Sequence, residues 1–126
     1  MAGKLIADQI EHSTAGSLDT SYVVNGSAKA WVNFNGTGVI AARDSLNVSG
    51  LLDNGTGDYT VNFSNAFGTV NYASTGNSWS TGSTGFLLYG SASANPTTSA
   101  SRFTTSSTTA FGDTHIIGIS FNGDLA

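Results

Sequence analysis

Three kinds of residue in this sequence could carry chemistry: two histidines, a small set of aspartates, and aromatic residues in polar surroundings. His12 and His115 are the only bases a serine nucleophile could use. A Ser–His–Asp hydrolase also needs the three groups within hydrogen-bond reach, and the G-x-S-x-G turn that often presents such a serine is absent. His12 lies in a weakly patterned segment and His115 opens an apolar alternation, so both are read as surface or interface residues. Asp44, Asp53 and Asp58 are the acids clustered in the strand-rich region. A glycosidase opposes two carboxylates across a groove, roughly 5–10 Å apart. Asp53 and Asp58 instead flank the turn Asn54-Gly55-Thr56-Gly57, where aspartate accepts backbone N–H groups. Asp53, Asn54 and Asp58 also offer hard oxygens to calcium, but without the D-x-[DN]-x-[DN]-G spacing. The expectation is a protein that is not an enzyme, with no catalytic residue, cofactor or metal ligand assigned.

Trp79 and Tyr89 stand out for a different reason. An exposed aromatic ring can stack on a sugar, whereas a buried one is ordinary core. Trp79 falls in a polar stretch from Ala73 to Gly85, and a second polar stretch runs from Ser91 to Ala100. Both read as exposed loops on a sheet scaffold, the usual location of binding residues. Trp79 and Tyr89 are therefore the candidate ligand contacts. Trp31 lies opposite an apolar strand face and is either exposed or part of a second interface.

The elements that must position these residues follow from apolar periodicity. The pattern breaks near Gly26, which separates an N-terminal anchoring segment, residues 1–27, from a β domain, residues 28–126. In the first segment the spacing of Ile6 and Ile10 suits at most two helical turns. Leu5, Ile6 and Ile10 are its candidate anchoring residues. In the second, strands are expected at Lys29 to Phe34, Val39 to Ala42, Ser45 to Leu51, Tyr59 to Phe63, Val70 to Ala73, Gly85 to Tyr89, Arg102 to Thr105 and His115 to Phe121. Turns at Asn35-Gly36-Thr37-Gly38 and Asn54-Gly55-Thr56-Gly57 separate some of them. About eight short strands with Gly-rich turns and a single proline argue for an all-β, antiparallel sandwich or jelly-roll-like fold.

Composition bounds what such a domain can do. Gly, Ser, Thr and Asn fill 61 of 126 positions, yet the net charge is only −4 and thirteen aromatic residues supply core material. Disorder usually combines low hydrophobicity with high net charge, so a folded domain with a hydroxyl-rich surface is the better reading. The four cations, Lys4, Lys29, Arg43 and Arg102, form no basic stripe, and nucleic acid is not an expected partner. No stretch approaches the apolar length of a membrane span, and no ordinary secretory signal is read at Met1 to Asp8. With no cysteine, stability must come from packing or from contacts between subunits.

Three runs carry a family resemblance: Lys29-Ala30-Trp31-Val32-Asn33-Phe34-Asn35-Gly36-Thr37-Gly38, then Arg43-Asp44-Ser45-Leu46-Asn47-Val48-Ser49, then Asp53-Asn54-Gly55-Thr56-Gly57-Asp58-Tyr59-Thr60-Val61-Asn62-Phe63. The segment resembles one that recurs in structural proteins of tailed bacteriophages, especially marine phage tail-fibre and receptor-binding proteins. The resemblance spans residues 29–63 and implies a component of the virion, assembled in the host cytoplasm, with no catalytic residue. It implies other virion proteins as partners and a homotrimer, while the low charge and many hydroxyls suit hydrogen bonding to a host surface glycan and equally a merely soluble surface. Host attachment by a tail fibre or tip is the leading expectation; a capsid decoration protein, cement or head fibre, is the alternative.

Overall fold

The computed structural model describes residues 3–80, 87–91, 93–107 and 110–126. Its centre is a β-sandwich of two four-stranded antiparallel sheets. The first sheet has the order β4-β3-β10-β7, from β3 (Ala30–Asn35), β4 (Ala41–Leu46), β7 (Ala73–Trp79) and β10 (Ile116–Asn122). The second has the order β5-β6-β9-β8, from β5 (Val48–Gly55), β6 (Asp58–Phe63), β8 (Leu87–Gly90) and β9 (Ala100–Ser106). The expected all-β antiparallel sandwich is the architecture of the chain.

Period-two alternation produces the core. Ala30, Val32 and Phe34 of β3 and Ile117, Ile119 and Phe121 of β10 face Tyr59, Val61 and Phe63 of β6 and Phe103 of β9, and all are buried. Aromatic rings tie the layers edge to face: Phe34 to Tyr59 at 5.4 Å and Phe63 to Phe121 at 4.9 Å between centroids. Phe67 and Tyr72 extend this cluster at one end, where Phe67 meets Phe63 edge to face at 4.9 Å between centroids.

Tyr59 closes the other end. Its buried hydroxyl donates to the Gly36 carbonyl and to Asp113 Oδ1, both at 2.8 Å, so one proton is shared by two acceptors. The same Asp113 oxygen accepts the Gly57 N–H at 2.7 Å. Gly36 is required there because a side-chain carbon would lie 2.7 Å from the Tyr59 oxygen and 2.8 Å from the Thr114 carbonyl. Burial, and then the Asp113 carboxylate beside it, push the Tyr59 phenol up from its ordinary value.

Several boundaries differ from the expectation. Val39 to Ala42 and Ser45 to Leu51 are not separate strands with Arg43 and Asp44 between them; the break falls at Asn47, and Ala41–Leu46 and Val48–Gly55 belong to different sheets. Asn47 sits at φ 56°, a left-handed conformation that asparagine tolerates better than most residues, and its Oδ1 accepts the Asn65 N–H at 2.7 Å. Ala73 is strand, but Val70 to Tyr72 are not. Ala73–Trp79, expected as a loop, is the edge strand β7, paired with β10 from Trp79 opposite Ile116 to Ala73 opposite Asn122. Its inward positions are the small residues Ser74, Gly76 and Ser78, and Leu88 reaches over Gly76 from β8: a carbon there would meet Leu88 Cδ2 at 2.6 Å. The remainder of that expected loop, residues 81–85, lies outside the described residues, as does the start of the strand expected from Gly85.

The N-terminal segment also differs. In place of helical turns at Ile6 to Ile10 it forms a hairpin, β1 (Gln9–His12) and β2 (Gly16–Asp19), followed by helix α1 (Thr20–Gly26). Asp19 caps the helix, with Oδ1 accepting the Ser21 N–H at 2.8 Å. The helix end is tied to the sandwich by Lys29, whose ammonium donates to the Val24 and Ser27 carbonyls, and by Asn122, which donates to the Gly26 carbonyl at 3.0 Å.

Tyr59→Phe removes the shared proton while keeping the ring, and is expected to lower stability by about 1–3 kcal/mol, the range for leaving a buried acceptor unpaired. Urea denaturation followed by tryptophan fluorescence checks this, with the midpoint falling and the slope unchanged.

Candidate functional site

The register of the second sheet lays one row of side chains across its outer face. Leu88 points inward against the core, so Tyr89 points out; Tyr89 pairs with Thr104, and Thr104 with Asp58. Asp58 in turn pairs with Gly55 beside the tight turn at Thr56 and Gly57. Next to this row lies a groove of about 670 Å³, lined by the rings of Tyr89 and Phe111 and by the hydroxyl-bearing Thr56, Ser91, Ser93 and Ser106. Both rings are open to solvent, at 47% for Tyr89 and 63% for Phe111. Thr104 at its base is buried.

One charged pair borders the groove. Arg102 donates through Nε to Asp58 Oδ1 at 2.7 Å and through Nη2 to Oδ2 at 2.6 Å, a two-pronged geometry that fixes both partners. These hydrogen bonds from Arg102 hold the Asp58 carboxyl below its usual range, more strongly than partial burial raises it. Asp58 is thus a structural anion engaged by a cation. It is not poised to donate a proton near neutral pH.

The other residues singled out by type are engaged separately. Asp53 Oδ1 accepts the Gly55 N–H at 2.9 Å, as turn chemistry predicts, and Asn54 donates to Thr60 Oγ1 at 2.9 Å. Asp58 is committed to Arg102, and the Asn54 side chain also hydrogen-bonds to the Asp58 carboxylate. Among the described residues no group of three or more His, Cys, Asp or Glu could hold a metal ion. Asp44 Oδ1 accepts the Ser45 N–H, and His12 Nδ1 accepts the Ala15 N–H in the first hairpin turn. The His115 carbonyl accepts from Arg43.

Tyr89 and Trp79, the two candidate ligand contacts, are separated by the sandwich. Trp79 pairs with Ile116 on the outer side of the first sheet and is 67% exposed, whereas Tyr89 belongs to the outer side of the second. Trp79 does not line the groove. The partner ring of Tyr89 is Phe111, which sequence reasoning passed over although it is an isolated aromatic in a Ser- and Thr-rich stretch, the same signal that singled out Trp79. Of the loop expected at Ser91 to Ala100, Ser91 and Ser93 line the groove and Ala100 begins β9.

A second surface lies on the N-terminal hairpin and helix. Leu5, Ile6 and Ile10 are exposed and line an apolar groove of about 330 Å³ together with Ala7, Val23 and Val24. A two-stranded hairpin and a seven-residue helix are each marginal alone in water, and neither β1, β2 nor α1 contains a buried residue. Among the described residues no helix is long and apolar enough to cross a membrane.

Comparison with protein-family models, with curated proteins and with solved structures finds no match for this chain.

The ion pair gives a pH signature with a definite sign. Because the folded state holds Asp58 below its ordinary value of 3.8, the pair contributes fully above about pH 5, and its contribution disappears as pH falls through the lowered value. Asp58→Asn is expected to lower the thermal midpoint at pH 7 by roughly 2–5 °C, with the difference from wild type shrinking as pH falls from about 5 through the lowered Asp58 value. Thermal melts by circular dichroism across that range read the effect.

Proposed function

We propose that this chain is a structural protein on the exterior of a tailed-bacteriophage particle, contributing to host attachment as part of a tail fibre or tip. In this reading the groove between Tyr89 and Phe111 contacts a host surface glycan, and the N-terminal segment docks on other virion proteins through Leu5, Ile6 and Ile10. The observation that carries it is the division of a small chain into two exposed recognition surfaces of opposite character. One is an aromatic and hydroxyl-lined groove on a rigid sheet. The other is an apolar groove on an N-terminal unit too small to be stable by itself. Open rings flanked by hydroxyls suit stacking and hydrogen bonding to a sugar, and the engagement of Asp58 by Arg102 favours binding over acid–base chemistry.

The resemblance of residues 29–63 to phage tail-fibre and receptor-binding proteins supports the same reading. A homotrimer assembled in the host cytoplasm fits a chain without cysteine whose outer strands β4 and β7 leave sheet edges to be covered. The N-terminal apolar groove favours one second reading, a capsid decoration protein whose segment 1–27 lies across neighbouring head subunits.

Cryo-electron microscopy of the intact particle tests the two together. Few copies at the tail end with Tyr89 and Phe111 facing outward are expected; many copies on the head would make the chain a decoration protein. For attachment, the double substitution Tyr89→Ala and Phe111→Ala is expected to slow adsorption to host cells by about tenfold or more, in line with the loss of two aromatic anchors. Unchanged adsorption by particles carrying the folded variant would refute the groove's role.

A further inference from the structure

Gly118 sits at the middle of β10, one of the two inner strands of the first sheet, between Asn33 of β3 and Asn77 of β7. Its neighbours Ile117 and Ile119 point into the core, so position 118 faces outward. The glycines at 36, 57 and 76 have a packing reason: a side-chain carbon there would come within 2.8 Å of backbone or of a packed side chain. Gly118 has neither that reason nor a left-handed backbone. A carbon added there would meet only the carboxamide tips, Asn77 Oδ1 at 3.1 Å and Asn33 Nδ2 at 3.9 Å. A glycine inside a strand weakens it, and where neither conformation nor packing demands it, close approach by a ligand is a standing reason for its presence.

The surroundings define what would approach. Arg43 donates through Nη1 to Asn33 Oδ1 at 3.3 Å, which turns the Asn33 amide N–H groups toward the notch. Asn77 presents its carbonyl oxygen from the opposite side. The gap therefore offers a donor and an acceptor to the same small group. In the adjoining row Trp31 pairs with Ser120 and Ser120 with Thr75, whose hydroxyls bond each other at 3.0 Å. The resulting groove holds about 450 Å³, and among the described residues no charged side chain lines it.

The geometry points to a second binding site here, for an uncharged saccharide: a hydroxyl seated over Gly118 accepts from Asn33 and donates to Asn77, while Trp31 flanks the ring. A sugar hydroxyl both donates and accepts, which matches the paired carboxamides. The absence of lining charge favours a neutral over an acidic sugar. This site faces away from the Tyr89 groove, on the other outer face of the sandwich, so substitutions separate the two.

The test is a titration of the full chain with neutral trisaccharides (maltotriose, cellotriose and triacetylchitotriose), alongside sialyllactose as an acidic control. It is read by NMR at the Asn33 and Asn77 side-chain amides, the Gly118 N–H and the Trp31 indole. At least one neutral sugar is expected to shift these signals together. Gly118→Val, which adds a strand-favouring side chain on the outer face, is expected to stay folded and to weaken that binding roughly 10–200-fold. If Gly118→Val fails to fold, Asn77→Ala is expected to weaken it by about tenfold. The proposal is overturned by shifts confined to Tyr89 and Phe111, by a response to sialyllactose alone, by no response to any neutral sugar, or by wild-type binding in a folded variant. It is also overturned if sedimentation shows that Gly118→Val only dissociates an oligomer, which would make the notch a contact between copies.

Discussion

The structure depends on one buried hydroxyl. Three separate stretches of chain meet where Tyr59 ends: the turn leaving β3 at Gly36, the turn entering β6 at Gly57, and the approach to β10 at Asp113 and Thr114. Gly36 donates to the Thr114 carbonyl, and Thr105 to that of Gly57, while the Tyr59 hydroxyl bridges Gly36 and Asp113. A sandwich about two side chains thick has open ends, and polar backbone exposed to the core there would go unpaired. Closing this end with a phenol gives the apolar ring to the core and the oxygen to the turns. The close approach leaves no room for a side chain at 36 or 57, so the two Gly-rich turns and the tyrosine form one constraint.

With the core closed in this way, the outer faces of both sheets are free to differ. Antiparallel sheets can pack on one face and meet water on the other, and the alternation that buries Tyr59, Val61 and Phe103 sends Asp58 and Thr104 outward. The same rule applied to β10 buries Ile117, Ile119 and Phe121 and leaves Gly118 and Ser120 outside. Each surface groove is therefore a by-product of core registration: shifting a strand by one residue would lose both the core and the row of side chains above it.

This explains what could be read directly. The strands over Ala30–Asn35, Asp58–Phe63 and Ile116–Asn122 announce themselves because one face must be large and apolar. Tyr89 was legible as an exposed aromatic, and its companion Phe111 carried the same signal. β7 was not legible, since its inward Ser74, Gly76 and Ser78 are small, Gly76 by necessity under Leu88, and a small residue contrasts little with a polar neighbour. The Asn47 crossing was hidden because Leu46 and Val48 on either side of it continue an apolar alternation across a change of sheet. The N-terminal hairpin was hidden for a third reason: with no buried residue in β1, β2 or α1, it has no periodicity to detect.

The scarcity of charge follows the same economy of position. Three of the four cations join parts of the molecule that would otherwise meet only through short contacts. Lys29 ties the end of the N-terminal helix to the first strand of the sandwich, Arg43 links β4 to Asn33 and the chain before β10, and Arg102 spans β9 and β6 through Asp58. Each occupies a joint where one long side chain reaches carbonyl or carboxylate oxygens that no apolar residue could satisfy. The two grooves on the outer faces of the sandwich are lined mainly by hydroxyls, carboxamides and aromatic rings, and Asp58, the carboxylate at the Tyr89 groove, is engaged by Arg102. In a chain built this way the few charges are assigned to structure, and the polar neutral residues that dominate its composition make up much of the outer faces of both sheets.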